Sequence, residues 1–154
     1  MAQSVDPAKL NGERELRNLL ANAERLKRED IVLACLDRLA EIRSKGAAPD
    51  PVSLDCWKAI YAAEEYATRK NGRTTRLART RQKITRVGVI QTISDIAGAE
   101  KVQEGFELLR DGGRRNLTFE AITLKHSSFF TAEVRRVASK KLRDAGYSDA
   151  ALPN

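Results

Sequence analysis

Apolar residues recur along this chain at helical spacing and almost never in strict alternation. From Glu13 they fall at Leu16, Leu19, Leu20, Ala23 and Leu26, one face of a helix. A connection at Lys27, Arg28 and Glu29 follows, with Asp30 as a cap for a second helix that places Val32, Cys35, Leu36, Leu39 and Ile42 on one side. Arg43 and Lys45 ahead of Gly46 supply a basic last turn and a glycine stop. The two elements read as an antiparallel helical hairpin over 1–46. Two helices alone leave their apolar faces half exposed, so this pair has to dock on the rest of the chain or on a second copy. Upstream, Asp6 before Pro7 reads as a cap with proline in the first helical position, interrupted by Asn11-Gly12.

The clearest break is AAPDPV at 47–52, where Pro49 and Pro51 bar a continuous helix and mark a linker ahead of a second region, 53–154. Ser53 is the expected cap of a helix carrying Leu54, Trp57, Ile60, Tyr61 and Ala67 and closed by Asn71-Gly72. Trp57, the only tryptophan, falls on the core side of that spacing. Thr74 or Thr75 is expected to open the next helix, whose apolar stripe is narrow: Leu77, Ile84 and Val87. Beyond Gly88, the residues Val89, Ile90, Ile93, Ile96 and Ala97 predict a short apolar helix ending at Gly98. Helix, glycine turn and helix outline a helix-turn-helix-like element, although Ile84 stands where a close crossing usually takes a small residue. A further helix carries Val102, Phe106 and Leu109 and stops at Gly112-Gly113. Residues 117 to 124 fit a helix or a short strand, with helix preferred. Thr131 caps a last helix through Val134, Val137, Ala138 and Leu142 to Gly146, and a frayed tail follows. The expected architecture is all-α, with six or seven short helices.

Composition narrows the class. Aromatic residues are 5% of the 154, which suits packed helices better than sheets, and 32% charged residues with no long apolar run argue against a membrane span. The first residues have neither the basic start nor the apolar centre of a secretion signal, so a cytoplasmic location is the expectation. Cys35 and Cys56 sit among apolar residues and read as buried reduced thiols. With one histidine and no CxxC pair, neither a structural metal nor another cofactor is expected.

Charge changes the picture most. The formal net charge is +7, yet residues 69–86 alone carry +8: Arg69, Lys70, Arg73, Arg76, Arg79, Arg81, Lys83 and Arg86, with no acid among them. A solvated face, or pairing of an arginine with Glu64, Glu65 or an acid elsewhere in the fold, is the plainer reading. Within the stretch, however, cations at three- and four-residue spacing have no acid to pair with and repel one another, a penalty that a bound polyanion offsets. Arginine outnumbers lysine six to two, which suits bidentate recognition of phosphate or guanine. Arg76, Arg79, Lys83 and Arg86 follow helical spacing and are the expected groove-facing set, with Arg69, Lys70 and Arg73 as a flanking phosphate clamp. A second basic block nets +6 over 114–143, from Arg114, Arg115, Lys125, Arg135, Arg136, Lys140, Lys141 and Arg143 against Glu120 and Glu133.

Other chemistry is thinner. His126 is the one side chain suited to proton transfer near neutral pH, but Ser127 and Ser128 beside it in sequence do not by themselves make a catalytic set. No glycine loop for a nucleotide phosphate is present. The pattern therefore predicts a non-catalytic nucleic-acid-binding protein of regulatory or accessory role, with DNA favoured over RNA. Residues 13–43 are free for a second copy or a protein partner. Two alternatives from other classes are an enzyme acting on nucleic acid through His126 and a helical adaptor for an acidic protein.

Overall fold

The computed structural model describes residues 6–44 and 50–147, Ser44 by its backbone alone. The expected stop at Gly46, the first half of the 47–52 linker and the C-terminal tail from 148 lie outside the described residues. Among those described the protein is all-helical, with eight α-helices and three 3-10 turns and no strand. The helices are α1 (Glu13–Arg25), α2 (Glu29–Ser44), α3 (Pro51–Asn71), α4 (Ala78–Val87), α5 (Val89–Ala97), α6 (Glu104–Asp111), α7 (Phe119–Lys125) and α8 (Ala132–Asp144). The count exceeds the expected six or seven because the ambiguous segment at 117–124 is a helix of its own, α7. Its start is fixed by Thr118, whose hydroxyl accepts from the Ala121 amide at 3.1 Å.

The long helix α3 is the centre of the molecule. Eleven of its residues are buried, and α2, α5, α6 and α7 all pack against it. One apolar cluster takes Leu16 and Leu20 from α1, Leu36 and Leu39 from α2, Ile60 and Tyr61 from α3, Ile93 from α5, Leu109 from α6, Ile122 from α7 and Ala138 from α8. Both sides of the 47–52 stretch therefore contribute to one core. A smaller cluster of Phe106, Ala121 and Leu142 closes the α6, α7 and α8 end.

Several helix starts differ from the expected ones for local reasons. Proline is tolerated in the first turn, where its missing N–H has no partner to lose. So α3 begins at Pro51 with Asp50 as cap, and Ser53 is the residue whose amide Asp50 accepts, at 2.9 Å. Asp30 lies inside the first turn of α2 instead of capping it, and pairs with Arg28 at 3.3 Å. The Asp6-Pro7 signal makes only a 3-10 turn, Pro7–Lys9, before α1 begins after Gly12. The basic helix opens at Ala78, two or three residues later than a threonine cap would place it. Thr75 is held elsewhere, its amide donating to Thr68 Oγ1 at 3.0 Å and its hydroxyl to the Arg73 carbonyl at 3.0 Å. Arg76 consequently sits in the connection before α4. Between α4 and α5 the chain turns through Gly88 alone, at φ 88° and ψ 169°, and the second helix of the pair buries Thr92, Ile93 and Ala97.

Candidate nucleic-acid interface

The basic segment is anchored by one carboxylate. Glu64, fully buried on α3, accepts two hydrogen bonds from Arg81 on α4, both at 2.7 Å, one from Arg17 on α1 at 2.6 Å and one from the Leu77 amide at 2.9 Å. The Leu77 bond places a negative charge at the N-terminus of α4, where the helix dipole favours it. This supplies what a threonine cap would have supplied. Burial works against ionisation of Glu64, but the Arg81 and Leu77 bonds, with Arg17, outweigh it and hold the carboxyl below its ordinary value. The Arg81 guanidinium lies 5.4 Å from the ring centroids of both Trp57 and Tyr61, and Arg17 lies 5.2 Å from Tyr61 on its other contact. The pKa of Arg81 is raised by its hydrogen bonds to Glu64. Tyr61, pushed up to about 12 by burial and by Glu13, donates to Glu13 Oε1 at 2.9 Å. Trp57 is thus a core residue beneath cations.

The eight cations of 69–86 divide into two groups. Arg81 points inward, only 10% exposed, and α1, α3 and α4 meet on it. Arg69 donates to Glu65 at 3.2 Å, lies 3.9 Å from Glu24 and sits over the Tyr66 ring. Lys83 pairs with Asp95 of α5 at 2.8 Å. The other five, Lys70, Arg73, Arg76, Arg79 and Arg86, are exposed, and none forms an ion pair among the described residues. They run from the last turn of α3 through the connection and along α4, where Arg79 and Arg86 are two turns apart on one side. Between Glu65 and Asp95 the chain has no acidic residue, and an acid comes near them from α6, where Glu104 lines one cavity with Arg76 and Arg79 and another with Lys70.

The second basic block is taken apart by the fold. Arg114, 12% exposed, donates to Glu24 at 3.0 Å, to Glu29 and to the Tyr66 hydroxyl at 3.0 Å, tying the α6 to α7 connection to the start of α2. Burial disfavours its charge, but the Glu29 and Glu24 bonds prevail and raise its pKa. Arg115 donates to the Ala145 carbonyl at 2.9 Å, and Arg135 to the Ser127 and Phe130 carbonyls at 2.9 and 3.2 Å. Arg136 pairs with Glu133 at 2.6 Å on the exposed side of α8. Lys141 is buried, its ammonium 2.7 Å from Glu120 and within 2.8 to 3.4 Å of the carbonyls of Ile96, Ala97 and Ala99. It closes the C-terminus of α5 from α8. Of Arg114, Arg115, Arg135, Arg136, Lys140 and Lys141, the expected second patch, Lys140 is the one exposed without an ion pair among the described residues.

His126 ends α7, with Nε2 2.7 Å from Asp55 Oδ2, an oxygen that also lies 3.0 Å from Lys125 Nζ. No serine, threonine or cysteine side chain bonds the imidazole among the described residues. Cys35 and Cys56 are free and buried, the Cys35 thiol pushed up to about 11 by desolvation and Cys56 raised further. No group of three or more His, Cys, Asp or Glu among the described residues is placed to hold a metal ion, and no described helix is long and apolar enough to cross a membrane.

Two features escape sequence reasoning. One is Glu64 as a buried anchor for the basic helix. The other is a cavity of about 400 Å³ beside Arg76 and Arg79, walled by α3, α6 and α7. Neither has a signal at short range in the chain. No protein-family model, curated protein or solved structure matches this chain.

Proposed function

We propose that this is a non-catalytic nucleic-acid-binding protein that grips the phosphate backbone, duplex DNA in first preference, through Lys70, Arg73, Arg76, Arg79 and Arg86. One observation carries the reading. In a fold where the buried cations and most half-buried ones are matched to carboxylates or carbonyls, these five are exposed on consecutive elements and without an ion pair among the described residues. Unpaired guanidinium groups at this density are a site for phosphates, which accept from them in bidentate geometry. Arg81 and the Glu64 carboxylate belong to the support, because they set where α4 starts and hold it on α3. The α1 and α2 pair and the α4 and α5 pair are proposed as a helical hairpin and a two-helix binding element, although a single glycine joins the latter where three or four residues are usual.

If five cations neutralise phosphates, log K should fall against log salt with a slope of about −4 to −5 on duplex DNA. Titration of a mixed 20-base-pair pool across salt concentrations measures it. The Arg79→Ala/Arg86→Ala double variant should bind every sequence more weakly and flatten the slope by about two. Sequence-selective loss at one base pair would instead assign a base contact to one of the two. Equal binding by wild type and the double variant at about 50 mM salt would sink the proposal and leave an acidic protein as the partner of this surface.

A further inference from the structure

The cavity beside the free arginines has a composition that phosphate binding alone does not call for. Its walls are apolar: Ile60 and Ala63 from α3, Leu77 from the connection, Phe106 and Leu109 from α6, and Phe119 from α7. At about 400 Å³ it falls in the range of small-ligand pockets and exceeds what one flat heterocycle needs. Polar groups are few: Arg76, Arg79 and Thr80 come from the connection before α4 and its first turn, Gln103 and Glu104 from the start of α6, and the buried Glu120 from α7. Burial raises the Glu120 carboxyl above its ordinary value, with the nearby Lys141 ammonium drawing it partly back.

We propose that this pocket receives one unpaired base of the bound nucleic acid, with the flanking phosphates on Arg76 and Arg79. The inference rests on the nucleic-acid reading above and adds a preference to it. A base is flat, apolar on its two faces and polar at its edge, and it is tethered to phosphates. The pocket matches each part: aliphatic and aromatic side chains for the faces, the Gln103 amide and the Glu104 carboxylate to accept from amino or imino edge groups, and the Arg76 and Arg79 guanidinium groups for the phosphates. Glu104 at the start of α6 biases the orientation, since its carboxylate repels a phosphate and accepts from an edge N–H. A base held in the stack of a duplex cannot reach such a site, so strands with an unpaired base are preferred over fully paired ones.

Two residues allow the pocket to be filled without touching the phosphate-binding cations. Gly105 lies in the first turn of α6, and a Cβ there meets only Leu77 Cδ1, at 3.8 Å, so Gly105→Leu extends into the cavity from a position with ordinary helical backbone. Ala78, exposed at the start of α4, offers Ala78→Leu from the other side should the first variant melt early. The experiment compares, by fluorescence anisotropy, a fully paired 20-base-pair duplex with the same duplex carrying one bulged base. The wild type should bind the bulged duplex roughly tenfold more tightly, the scale of one base stacked on protein. Each folded pocket variant should keep wild-type affinity for the paired duplex and lose that preference. Equal wild-type affinity for the two duplexes would overturn the pocket assignment alone, as would a preference that survives both substitutions. Absence of binding to either duplex at about 50 mM salt would overturn the nucleic-acid reading and this inference together.

Discussion

Glu64 is the residue on which the basic segment depends. Among the described residues it carries the only negative charge within hydrogen-bond reach of Arg81 and Arg17, and all three are largely withdrawn from water. Removing one member of such a buried set leaves a charge without a partner, so Glu64→Gln should destabilise the protein by about 3–5 kcal/mol in urea denaturation. Arg81→Ala should fall in the same range, while Arg79→Ala, on the same helix but exposed, should stay within about 0.5 kcal/mol. Near-equal effects of the two arginine substitutions would show that α4 does not need its anchor. The pH dependence has a defined sign. The folded-state pKa of Glu64 lies below its unfolded value near 4.5, so its contribution is full above that value and is lost as pH falls through the folded pKa. Glu64→Gln should therefore flatten the acid limb of the stability curve below about pH 4.5. The sequence shows the eight cations plainly but does not show which are free. The acid that claims Arg81 is seventeen residues away and the one that claims Lys83 is Asp95 on the next helix, outside any three- or four-residue window; Arg69 alone pairs within such a window, with Glu65.

At the scale of elements, glycine and proline punctuation is well legible in this chain, because those residues act through their own backbone. Gly72, Gly88, Gly113 and Gly146 all lie at positive φ where the pattern breaks. Gly88 is the demanding case, since φ 88° with ψ 169° is a region that only glycine occupies readily and no neighbour lies within 4 Å of an added Cβ. Gly88→Ala should thus cost about 1–3 kcal/mol through backbone strain alone, and thermal melting against the wild type measures it. Gly112 differs in kind, being required by packing: a Cβ there would stand 2.6 Å from the Tyr66 ring, itself held by Arg114 and Glu24. Helix starts were less legible, for a physical reason. A cap can be supplied from another element, as Glu64 supplies the N-terminus of α4, and the local threonine is then free to bond elsewhere. The charge sum over 114–143 misleads in the same way. Arg114 and Lys141 are counted as surface cations by their type, yet each is buried against acids and carbonyls contributed by other helices.

For the whole molecule, the question is whether the first two helices and the remainder behave as one folding unit. A sequence break at 47–52 invites a division there, and an apolar pattern cannot say which faces meet. In the structure α2 packs along α3, and Leu36, 1% exposed, belongs to the same cluster as Ile60, Ile93 and Ala138. Polar ties cross the same boundary: Arg17 to Glu64, Tyr61 to Glu13, Lys58 to Asp37 and Arg114 to Glu29. A protein built this way has no apolar face of α2 to spare for an independent unit, so loss of α2 packing should be felt at the basic segment, through α3 and Glu64. Leu36→Ala should lower stability by about 2–5 kcal/mol and do so in a single transition. Followed by tryptophan fluorescence, which reports Trp57 beneath Arg81 and Arg43, and by far-ultraviolet circular dichroism, which reports all helices, the two curves should coincide. An early loss of helix signal with Trp57 unchanged would separate the N-terminal pair from the core. The anchor of the basic surface would then be Glu64 and Arg81 alone, without support from α1 and α2.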